Sequence, residues 1–522
     1  MQVKKRYGIS GFLGYKAEIG NLVIIHPGFN GLLMKVMLIS MLVMVMLLAS
    51  AFNVQAQTVY CVRAGATGTN NGSDWNNAFT TLPATLVRGA TYYIADGKYA
   101  AYKFDDPVSG TSVITIKKAT ASDHGTNTGW RSTYGDGQAV FANYIQFETD
   151  WYVFDGNGTH TIPSSNTDDY GFKIYATSVQ PGVIRFGRQE VGHPGCDHIT
   201  VRYTHVYNEE CACKDGGNGG ARSLYFYTAN YIKMQYCFLE RSQQDGIVIT
   251  SSTNLLFENC YMYQLGQLNA YTGTNYHGQT VMIFYGPSSD IIFRNNIWRA
   301  CQGQALIQCN ISSANKSNIR FYGNVVFNHY NTVESPGFYS GGIISCFYGT
   351  YAMNGYYVYN NTFVNIGGDN NSSGSACASN RIPYPAKVTA SYFHNNLFYN
   401  CHTILGSKEW DSYSYQASGG GDTAGGTNEQ TGLGSSIFQS YTGNDFRLTG
   451  PTSPAKTLPS EKWWSGGVDS FFGTIDSAVD MYGNTRGADG TWDRGAFEYG
   501  KGEGVGRPLP PAGLRIFEAG KS

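Results

Sequence analysis

The chain has 522 residues, of which 14% are charged and 14% aromatic, and its 36 basic and 37 acidic side chains nearly cancel. This balance excludes a protein that binds nucleic acid through a surplus of Lys and Arg, and the 42% hydrophobic fraction excludes a wholly disordered chain. The 65 glycines and 39 tyrosines are typical of a β-rich extracellular protein.

The first recognisable segment is an apolar run over residues 36–51, preceded by Lys35 and followed by small residues up to Ala56. This order is typical of a signal peptide, so we interpret residues 34–56 as a signal peptide and residues 1–33 as a mis-called upstream extension. The run is short for a membrane anchor, and we expect a secreted chain without stable membrane insertion. All 11 cysteines would then meet an oxidising compartment.

A repeat dominates the mature chain. Short segments with an apolar anchor recur at intervals of 33, 23, 36, 28, 37 and 35 residues. The anchors are Val201, Met234, Phe257, Phe293, Phe321, Val358 and Phe393. A minimum of 23 residues with variable excess predicts a fixed structural coil that carries loops of different length.

Each coil is predicted to contain three short strands, exemplified by residues 246–250, 255–257 and 261–263. Three strands in a coil of about 22 residues are what a parallel β-helix needs. The position three residues after the anchor supports this register, because four consecutive coils have asparagine there. We predict that these side chains form a hydrogen-bonded amide ladder, and that two cysteines at the same position are buried fillers. The ladder positions are Thr204, Cys237, Cys260, Asn296, Asn324, Asn361 and Asn396.

The coils of the Asn-Asn-x-Phe type resemble the right-handed parallel β-helix superfamily, which includes pectate lyases, other polysaccharide lyases, polygalacturonases and phage tailspikes. Segments beginning at Ala66 and Tyr92 resemble the opening part of secreted bacterial members, and segments beginning at Asp480 and Asp493 resemble their closing part. The resemblance implies an all-β fold, a parallel β-helix of three-stranded coils with N- and C-terminal caps. It matches no single enzyme family.

The resemblance spans residues 58–499, so we expect one β-helix domain over residues 57–499, including its caps, and a flexible tail over residues 500–522. A solenoid of this kind grows by adding coils without enlarging a globular core. The length of the chain therefore does not require several domains.

Catalytic chemistry in such a solenoid is expected beside its longest connections, which here join third strands to first strands. One row of side chains immediately precedes successive first strands: Arg222, Asp245, His277 and Gln304. Coils lie about 4.8 Å apart, so neighbours in this row can contact one sugar residue.

For glycosidic hydrolysis, two carboxyl groups are needed, and the candidate pair is Asp245 with Asp215 or Glu210. The segment that ends in Asp245-Gly and the Tyr276-His277-Gly segment faintly resemble polygalacturonase signatures, but the Asp-Asp pair and the Arg-Ile-Lys motif of that family have no match. A turn formed by Asp-Gly before a strand is the structural alternative for Asp245.

For β-elimination, a base removes a proton beside a uronate carboxylate while a cation or Ca²⁺ neutralises that carboxylate. The candidates are His277, Tyr276 or Lys214 as base, Arg222 or Arg241 as neutralising cation, and Glu209, Glu210 and Asp215 as calcium ligands. A solvated loop is the alternative for the Glu209-Glu210 pair.

Further residues are expected to bind substrate or to clamp a loop. Outward tyrosines can stack on sugar rings, with packing in the β-structure as the alternative for most tyrosines. The predicted substrate-binding residues are Arg241, Tyr225, Tyr227, Tyr276 and Gln304. A cluster of His193, His198 and His205 with nearby cysteines suggests zinc, but its spacing fits no standard finger. A disulfide from Cys196 to Cys211 or Cys213 is the expected use of these cysteines.

The sequence as a whole favours a secreted carbohydrate-active protein that binds and cleaves a polysaccharide, by lyase or hydrolase chemistry, in a groove on the β-helix. The alternative is a non-catalytic cell-surface, adhesion or structural protein whose solenoid displays binding loops. The expected partner in both cases is a polysaccharide, and nucleic acid is not expected.

Overall fold

The structure is a computed structural model. It describes residues 57–177, 182–190, 192–209, 222–242, 245–266, 279–301, 306–311, 314–329, 344–347, 351–366, 388–401, 412–414, 417–419, 429–450, 467–469, 473–475, 479–488 and 492–499. The segments interpreted as upstream extension, signal peptide and tail lie outside these residues, and the domain division remains a prediction.

Three parallel sheets run along the chain, with 8, 12 and 12 strands. We number them in the order in which the chain visits them within a coil. Sheet 1 contains Tyr102–Phe104, Ile145–Phe147, Ile184–Phe186, Leu224–Tyr227, Asp245–Thr250, Gln279–Ile283, Ile307–Asn310 and Ile344–Phe347. Sheet 2 contains Val59–Val62, Thr91–Ile94, Ile114–Lys118, Tyr152–Asp155, Cys196–Arg202, Ala229–Gln235, Thr253–Glu258, Ser288–Arg294, Lys316–Tyr322, Met353–Tyr359, Val388–His394 and Ser412–Ser414. Sheet 3 contains Gly97–Tyr99, Ala139–Ala142, Phe172–Ala176, Thr204–Asn208, Phe238–Glu240, Tyr261–Tyr263, Ile297–Arg299, Val325–His329, Thr362–Ile366, Leu397–Tyr399, Ala417–Gly419 and Gln430–Leu433.

Short elements complete the described part of the chain. Two antiparallel hairpins pair Phe438–Ser440 with Asp445–Leu448 and Gly467–Asp469 with Gly473–Ile475. Single 3-10 turns cover Ser132–Tyr134, Thr167–Asp169 and Ser435–Ile437. Within these ranges the chain forms no α-helix, and the chain is a right-handed parallel β-helix, as predicted.

The predicted register is confirmed at every anchor. Val201 pairs with Met234, Met234 with Phe257, and the pairing continues coil by coil to Phe393. The anchors point into one continuous core because alternate residues of a strand face the same side. On the opposite wall of the core, sheet 1 contributes a stack of phenylalanines with ring centroids 4.6 to 5.5 Å apart: Phe104, Phe147, Phe186 and Phe226.

The amide ladder is also confirmed. The Oδ1 atom of Asn324 accepts from the backbone nitrogen and the Nδ2 atom of Asn296, both at 3.0 Å. Asn361 and Asn396 repeat this arrangement in the next coils. All four ladder asparagines are fully buried, so the ladder satisfies the backbone groups of turns that water does not reach.

The residue before each ladder position explains why asparagines come in pairs. Asn259, Asn295, Asn360 and Asn395 have φ between 53° and 55°. This left-handed conformation turns the chain from sheet 2 into sheet 3, and asparagine tolerates it better than most residues. In each Asn-Asn pair, the first residue therefore makes the turn and the second joins the ladder.

The two ends of the solenoid are covered differently. Near the start, Leu82 and Leu86 join the main core. Near the end, the closing segment packs on the outer face of sheet 3, where Phe446 lies 5.2 Å from Phe327 between ring centroids. The backbone nitrogen of Ala496 donates to Thr362 Oγ1 at 2.9 Å. The predicted closing motif is thus a lateral cover for sheet 3.

The cysteines depart from one expectation. Cys237 and Cys260 are free, buried and at the ladder position, as predicted. Cys196 is also free and lies in the main core, so the predicted disulfide from Cys196 is wrong. The reason is a break in the alternation of its strand: His198 has φ of 53°, which places Cys196 on the same inward side as Ile199.

Candidate functional site

The described part of the site lies where the chain enters sheet 1. Asp245 opens one strand, and its strand neighbour in the next coil is Gln279. In the preceding coil, the pairing of Leu224 with Ile247 puts Arg222 level with Asp245. The observed row is therefore Arg222, Asp245 and Gln279, in three consecutive coils.

Two groups hold the Asp245 carboxylate. Arg222 Nε lies 3.5 Å from Asp245 Oδ2, with side chains that are 18% and 8% exposed. The backbone nitrogen of Gln279 donates to Asp245 Oδ1 at 3.1 Å. The carboxyl group thus sits between a cation and an amide while almost shielded from water.

Burial has the largest effect on the acidity of this group. It raises the pKa of Asp245 to about 6, against the opposing effects of the Arg222 guanidinium and the Gln279 amide. A carboxyl group with such a pKa keeps a large protonated fraction in mildly acidic solution, as a general acid requires.

Tyr225, one of the predicted sugar-stacking residues, lies beside the pair formed by Arg222 and Asp245. The Cζ atom of Arg222 is 5.8 Å from the ring centroid of Tyr225, and the Tyr225 hydroxyl donates to Gln189 Oε1 at 3.1 Å. Tyr227 follows on the same outward side and is half-buried. Both tyrosines thus belong to the outer face of sheet 1.

Arg241 is placed elsewhere. Its Cζ atom lies 5.7 Å from the ring centroid of Tyr207, and its Nη1 atom donates to the Tyr207 hydroxyl at 3.4 Å. Tyr207 belongs to a strand of sheet 3. The structure therefore does not bring Arg241 to the Asp245 pair.

Several predicted site residues lie outside the described residues: His277, Tyr276, Asp215, Lys214, Glu210 and Gln304. The register nevertheless changes the expected row, because Gln279 takes the place beside Asp245 that His277 was predicted to occupy. His277 precedes that position by two residues in the sequence.

Of the three predicted calcium ligands, the structure describes Glu209. Its side chain is exposed, and its Oε2 atom accepts from the Tyr175 hydroxyl. Among the described residues, no group of three His, Cys, Asp or Glu side chains is arranged to hold a metal ion.

The histidines of the suggested zinc cluster have structural partners. His198 stacks on Trp151 and Tyr231, with ring centroids 4.0 and 4.8 Å away. His205 Nε2 lies 2.8 Å from Glu240 Oε2, and burial lowers the pKa of this imidazole. Both side chains act as packed, hydrogen-bonded imidazoles of the strands.

Sequence reasoning missed a charged group on sheet 1 in earlier coils. Glu148 is 9% exposed and lies 3.6 Å from Lys103 and 3.9 Å from Arg188. The predicted repeat begins at Val201, so these earlier coils were not included in it. The signal that was available is the polar residue beside each stacked phenylalanine of sheet 1, as in Lys103-Phe104.

Where the structure describes the chain, no helix has the length and apolarity to cross a membrane. No protein-family model matches the sequence, and no curated protein matches it.

Solved structures that are similar to the chain include the following two. The crystal structure of pectate lyase Pel9A is 12% identical, with 85% of this chain and 97% of that chain covered and a TM-score of 0.44. The structure of a hyperthermoactive exopolygalacturonase from Thermotoga maritima is 11% identical, with coverages of 66% and 84% and a TM-score of 0.28. By its own sheets the chain is a parallel β-helix protein, and these low identities assign it to no enzyme family.

Proposed function

We propose that the protein is a secreted polysaccharide-cleaving enzyme in which Asp245 is the general acid of glycosidic hydrolysis. The observation that carries the proposal is the buried Asp245 carboxyl group, held between Arg222 and the Gln279 amide, with its pKa raised to about 6. Groups with shifted pKa values in a partly enclosed site are typical of catalysis.

Arg222 and the backbone amide of Gln279 suit Asp245 as a proton donor, both in its protonated and in its deprotonated state. Protonated Asp245 would deliver its proton to the glycosidic oxygen and become a carboxylate. The Arg222 guanidinium, 3.5 Å away, and the Gln279 amide, at 3.1 Å, would then stabilise the negative charge. These groups are already in place, so the transfer needs little reorganisation.

Hydrolysis also needs a second carboxyl group. Asp215 or Glu210 is proposed for this role, because the connection that contains them precedes Arg222 directly. A separation of about 5 Å between the two carboxyl groups would indicate retention, and about 6.5 to 9.5 Å inversion, of the anomeric configuration.

β-elimination is the second candidate, and Arg222 is the observation that favours it, because a partly exposed guanidinium in the row suits a uronate carboxylate. In that case His277, Tyr276 or Lys214 would be the base. Calcium would be held by Glu209, Glu210 and Asp215. The position of Arg241 over Tyr207 removes it from this scheme.

The test is incubation of the secreted mature protein with a polysaccharide panel, with and without chelator. New reducing ends without ultraviolet absorbance would indicate hydrolysis, and absorbance of an unsaturated uronate would indicate elimination. We expect Asp245→Asn to lower the rate at least about 100-fold, because general acids contribute about this much or more.

The control variant is Asp123→Asn, which removes a salt-bridged carboxylate near sheet 2 and should leave the rate unchanged. An Asp245→Asn variant with full activity would remove Asp245 from the mechanism. If no polysaccharide of a broad panel were cleaved, the non-catalytic display of binding loops would be the better description.

A further inference from the structure

Arg222 and Asp245 share the inward phase of the core residues Leu224 and Ile247, and the outer face of sheet 1 begins beside them at Tyr225 and runs towards the start of the solenoid. Tyr225 makes the connection, because its ring lies beside Arg222 and its hydroxyl donates to Gln189 at 3.1 Å. Gln189 lies between Arg188 and Glu190 in the sequence. Tyr225 therefore links the catalytic pair to the segment that carries Arg188 and Glu190.

Cations on this face are matched by carboxylates. Lys103 Nζ lies 2.8 Å from Asp105 and 3.6 Å from Glu148. Arg188 lies 3.9 Å from Glu148 and 2.7 Å from Glu190. Glu148 is thus shared by two cations, and each cation has a second carboxylate.

Arg185, in the middle of the face, is held differently. Its Cζ atom lies 4.0 Å from the ring centroid of Tyr144, and its Nε atom donates to the Gly182 carbonyl oxygen at 3.0 Å. Burial lowers the pKa of this guanidinium. Its Nε donor is therefore used within the protein, and its guanidinium packs on an aromatic ring.

On the described part of this face, the basic side chains of Lys103, Arg185 and Arg188 are matched by the carboxylates of Asp105, Glu148 and Glu190. A polyuronate bears one negative charge per sugar, and a compensated or acidic surface does not attract it. A neutral sugar chain is a better match, because its hydroxyl groups can accept from guanidinium and ammonium groups and donate to carboxylates.

We propose that the outer face of sheet 1 selects uncharged polysaccharides, bound through their hydroxyl groups along the paired charges of Lys103, Glu148 and Arg188 towards Asp245. This inference rests on the proposed function for its cleavage site but concerns binding. The expected ligand is a neutral glycan and not a polyuronate.

The first test measures binding of the mature protein by affinity electrophoresis in gels that contain one polymer each. Arabinoxylan, galactomannan and mixed-linkage β-glucan represent neutral chains, and polygalacturonate and alginate represent polyuronates. We expect retardation by at least one neutral polymer, little change with salt because no net charge is neutralised, and none by the polyuronates. Stronger retardation by a polyuronate at low salt would overturn the proposal.

The second test removes carboxylates from this face and measures whether its affinity for a polyuronate rises. The double variant Asp105→Asn/Glu148→Gln leaves Lys103 and Arg188 with one remaining carboxylate between them. We expect its affinity for polygalacturonate to rise at least about threefold and to fall again at high salt. Glu190→Gln is a second variant at an exposed position, and it should shift affinity in the same direction.

Asp123→Asn is the matched control, because it removes a salt-bridged carboxylate from another face. Equal shifts in the control and in the sheet 1 variants would show that total charge, and not this face, sets the preference.

Binding and cleavage separate this inference from the proposed function. Binding of a neutral polymer without release of reducing ends would support the inference and contradict the proposed function. Cleavage of a polyuronate that depends on Asp245 would support a catalytic role and overturn the inference.

Discussion

Asn324 shows how much one ladder side chain does. Its Nδ2 atom donates to the carbonyl oxygens of Phe293 and Tyr322 at 2.9 and 3.1 Å, and its Oδ1 atom accepts from Asn296. An apolar side chain here would leave buried donors and acceptors of two coils without partners, and each such group costs about 1 to 3 kcal/mol.

We therefore expect Asn324→Leu to lower the free energy of unfolding by at least about 3 kcal/mol. Denaturant unfolding followed by circular dichroism measures this change. Asn354→Ala is the control, since Asn354 is exposed and accepts from Thr389 at 3.1 Å on the surface. A loss of similar size in both variants would contradict a special role of the ladder.

The thiols at the ladder position imitate part of the amide. Cys260 Sγ donates to the carbonyl oxygens of Met234 and Glu258, both at 3.4 Å, which are the counterparts of the carbonyls that Asn324 contacts. The thiol provides no carbonyl oxygen to accept from the previous coil. The prediction of a mere filler was therefore too simple, because the cysteine also hydrogen-bonds.

Asp245 links stability to pH. Its folded pKa of about 6 lies above the value of about 4 expected in the unfolded chain. Its contribution to stability is fully present below the unfolded pKa and is lost as pH rises through the folded pKa. Between about pH 4 and pH 6 this group therefore reduces the free energy of unfolding as pH increases.

We expect Asp245→Asn to unfold with less dependence on pH than the native protein in this window. The variant should gain relative stability from pH 4 to pH 7, by no more than about 3 kcal/mol. Thermal or denaturant unfolding across this range measures the difference. Parallel curves for the two proteins would show that the folded pKa of Asp245 is close to its ordinary value.

At the scale of elements, the closing segment depends on one close approach. Gly495 has φ of 96°, and a Cβ atom there would lie 2.5 Å from Thr362 Oγ1 and 2.9 Å from Leu397 Cβ. The backbone of the closing segment thus contacts sheet 3 directly. A side chain at this position would lift the cover from the sheet.

We expect Gly495→Ala to lower the free energy of unfolding by about 2 kcal/mol more than Gly432→Ala. Gly432 is the matched control, because its φ is 75° and nothing lies within 4 Å of an added Cβ atom. The difference between the variants isolates the steric effect from the conformational one. Denaturant unfolding measures it, with proteolysis of the C-terminal segment as a second readout, and equal losses would mean that the close approach is unimportant.

At the scale of the molecule, the fold was predictable because its signals are local and repeated. The anchor residues, the left-handed residue before each ladder position and the ladder itself follow from the geometry of one coil, and consecutive coils repeat them. The sequence does not reveal how the closing segment is docked, because the contact between Gly495 and Thr362 joins residues far apart in the chain.

The site was less predictable for a physical reason. The connections into sheet 1 differ in length and have no common pattern, so the starting residue of each strand cannot be counted from the anchor. The pairing of Asp245 with Gln279 corrected the predicted row in this way. Glu148 escaped notice because its charge partners come from two other coils.

The solenoid also encloses its thiols. Seven of the described cysteines are buried thiols, and burial raises the pKa of several, including Cys196 and Cys260, well above the ordinary value. The thiolate is the reactive form, so these residues should resist oxidation and alkylation while the protein is folded.

We expect iodoacetamide to label at most four of the 11 cysteines in the native protein and the buried seven only after unfolding. Peptide mass spectrometry with two isotopic forms of the reagent distinguishes the two populations. Native labelling of Cys237 or Cys260 would contradict the enclosed core.

The amide ladder also affects how readily its asparagines deamidate. If Asn324 lost ammonia, a carboxylate oxygen would replace its Nδ2 donor and face the carbonyl oxygens of Phe293 and Tyr322, and the coil would be forced open. Deamidation usually begins when the backbone nitrogen of the following residue attacks the side-chain carbonyl. The nitrogen of Val325 instead donates to the Asn296 carbonyl oxygen at 2.9 Å, so the folded solenoid protects from hydrolysis the amides on which it depends.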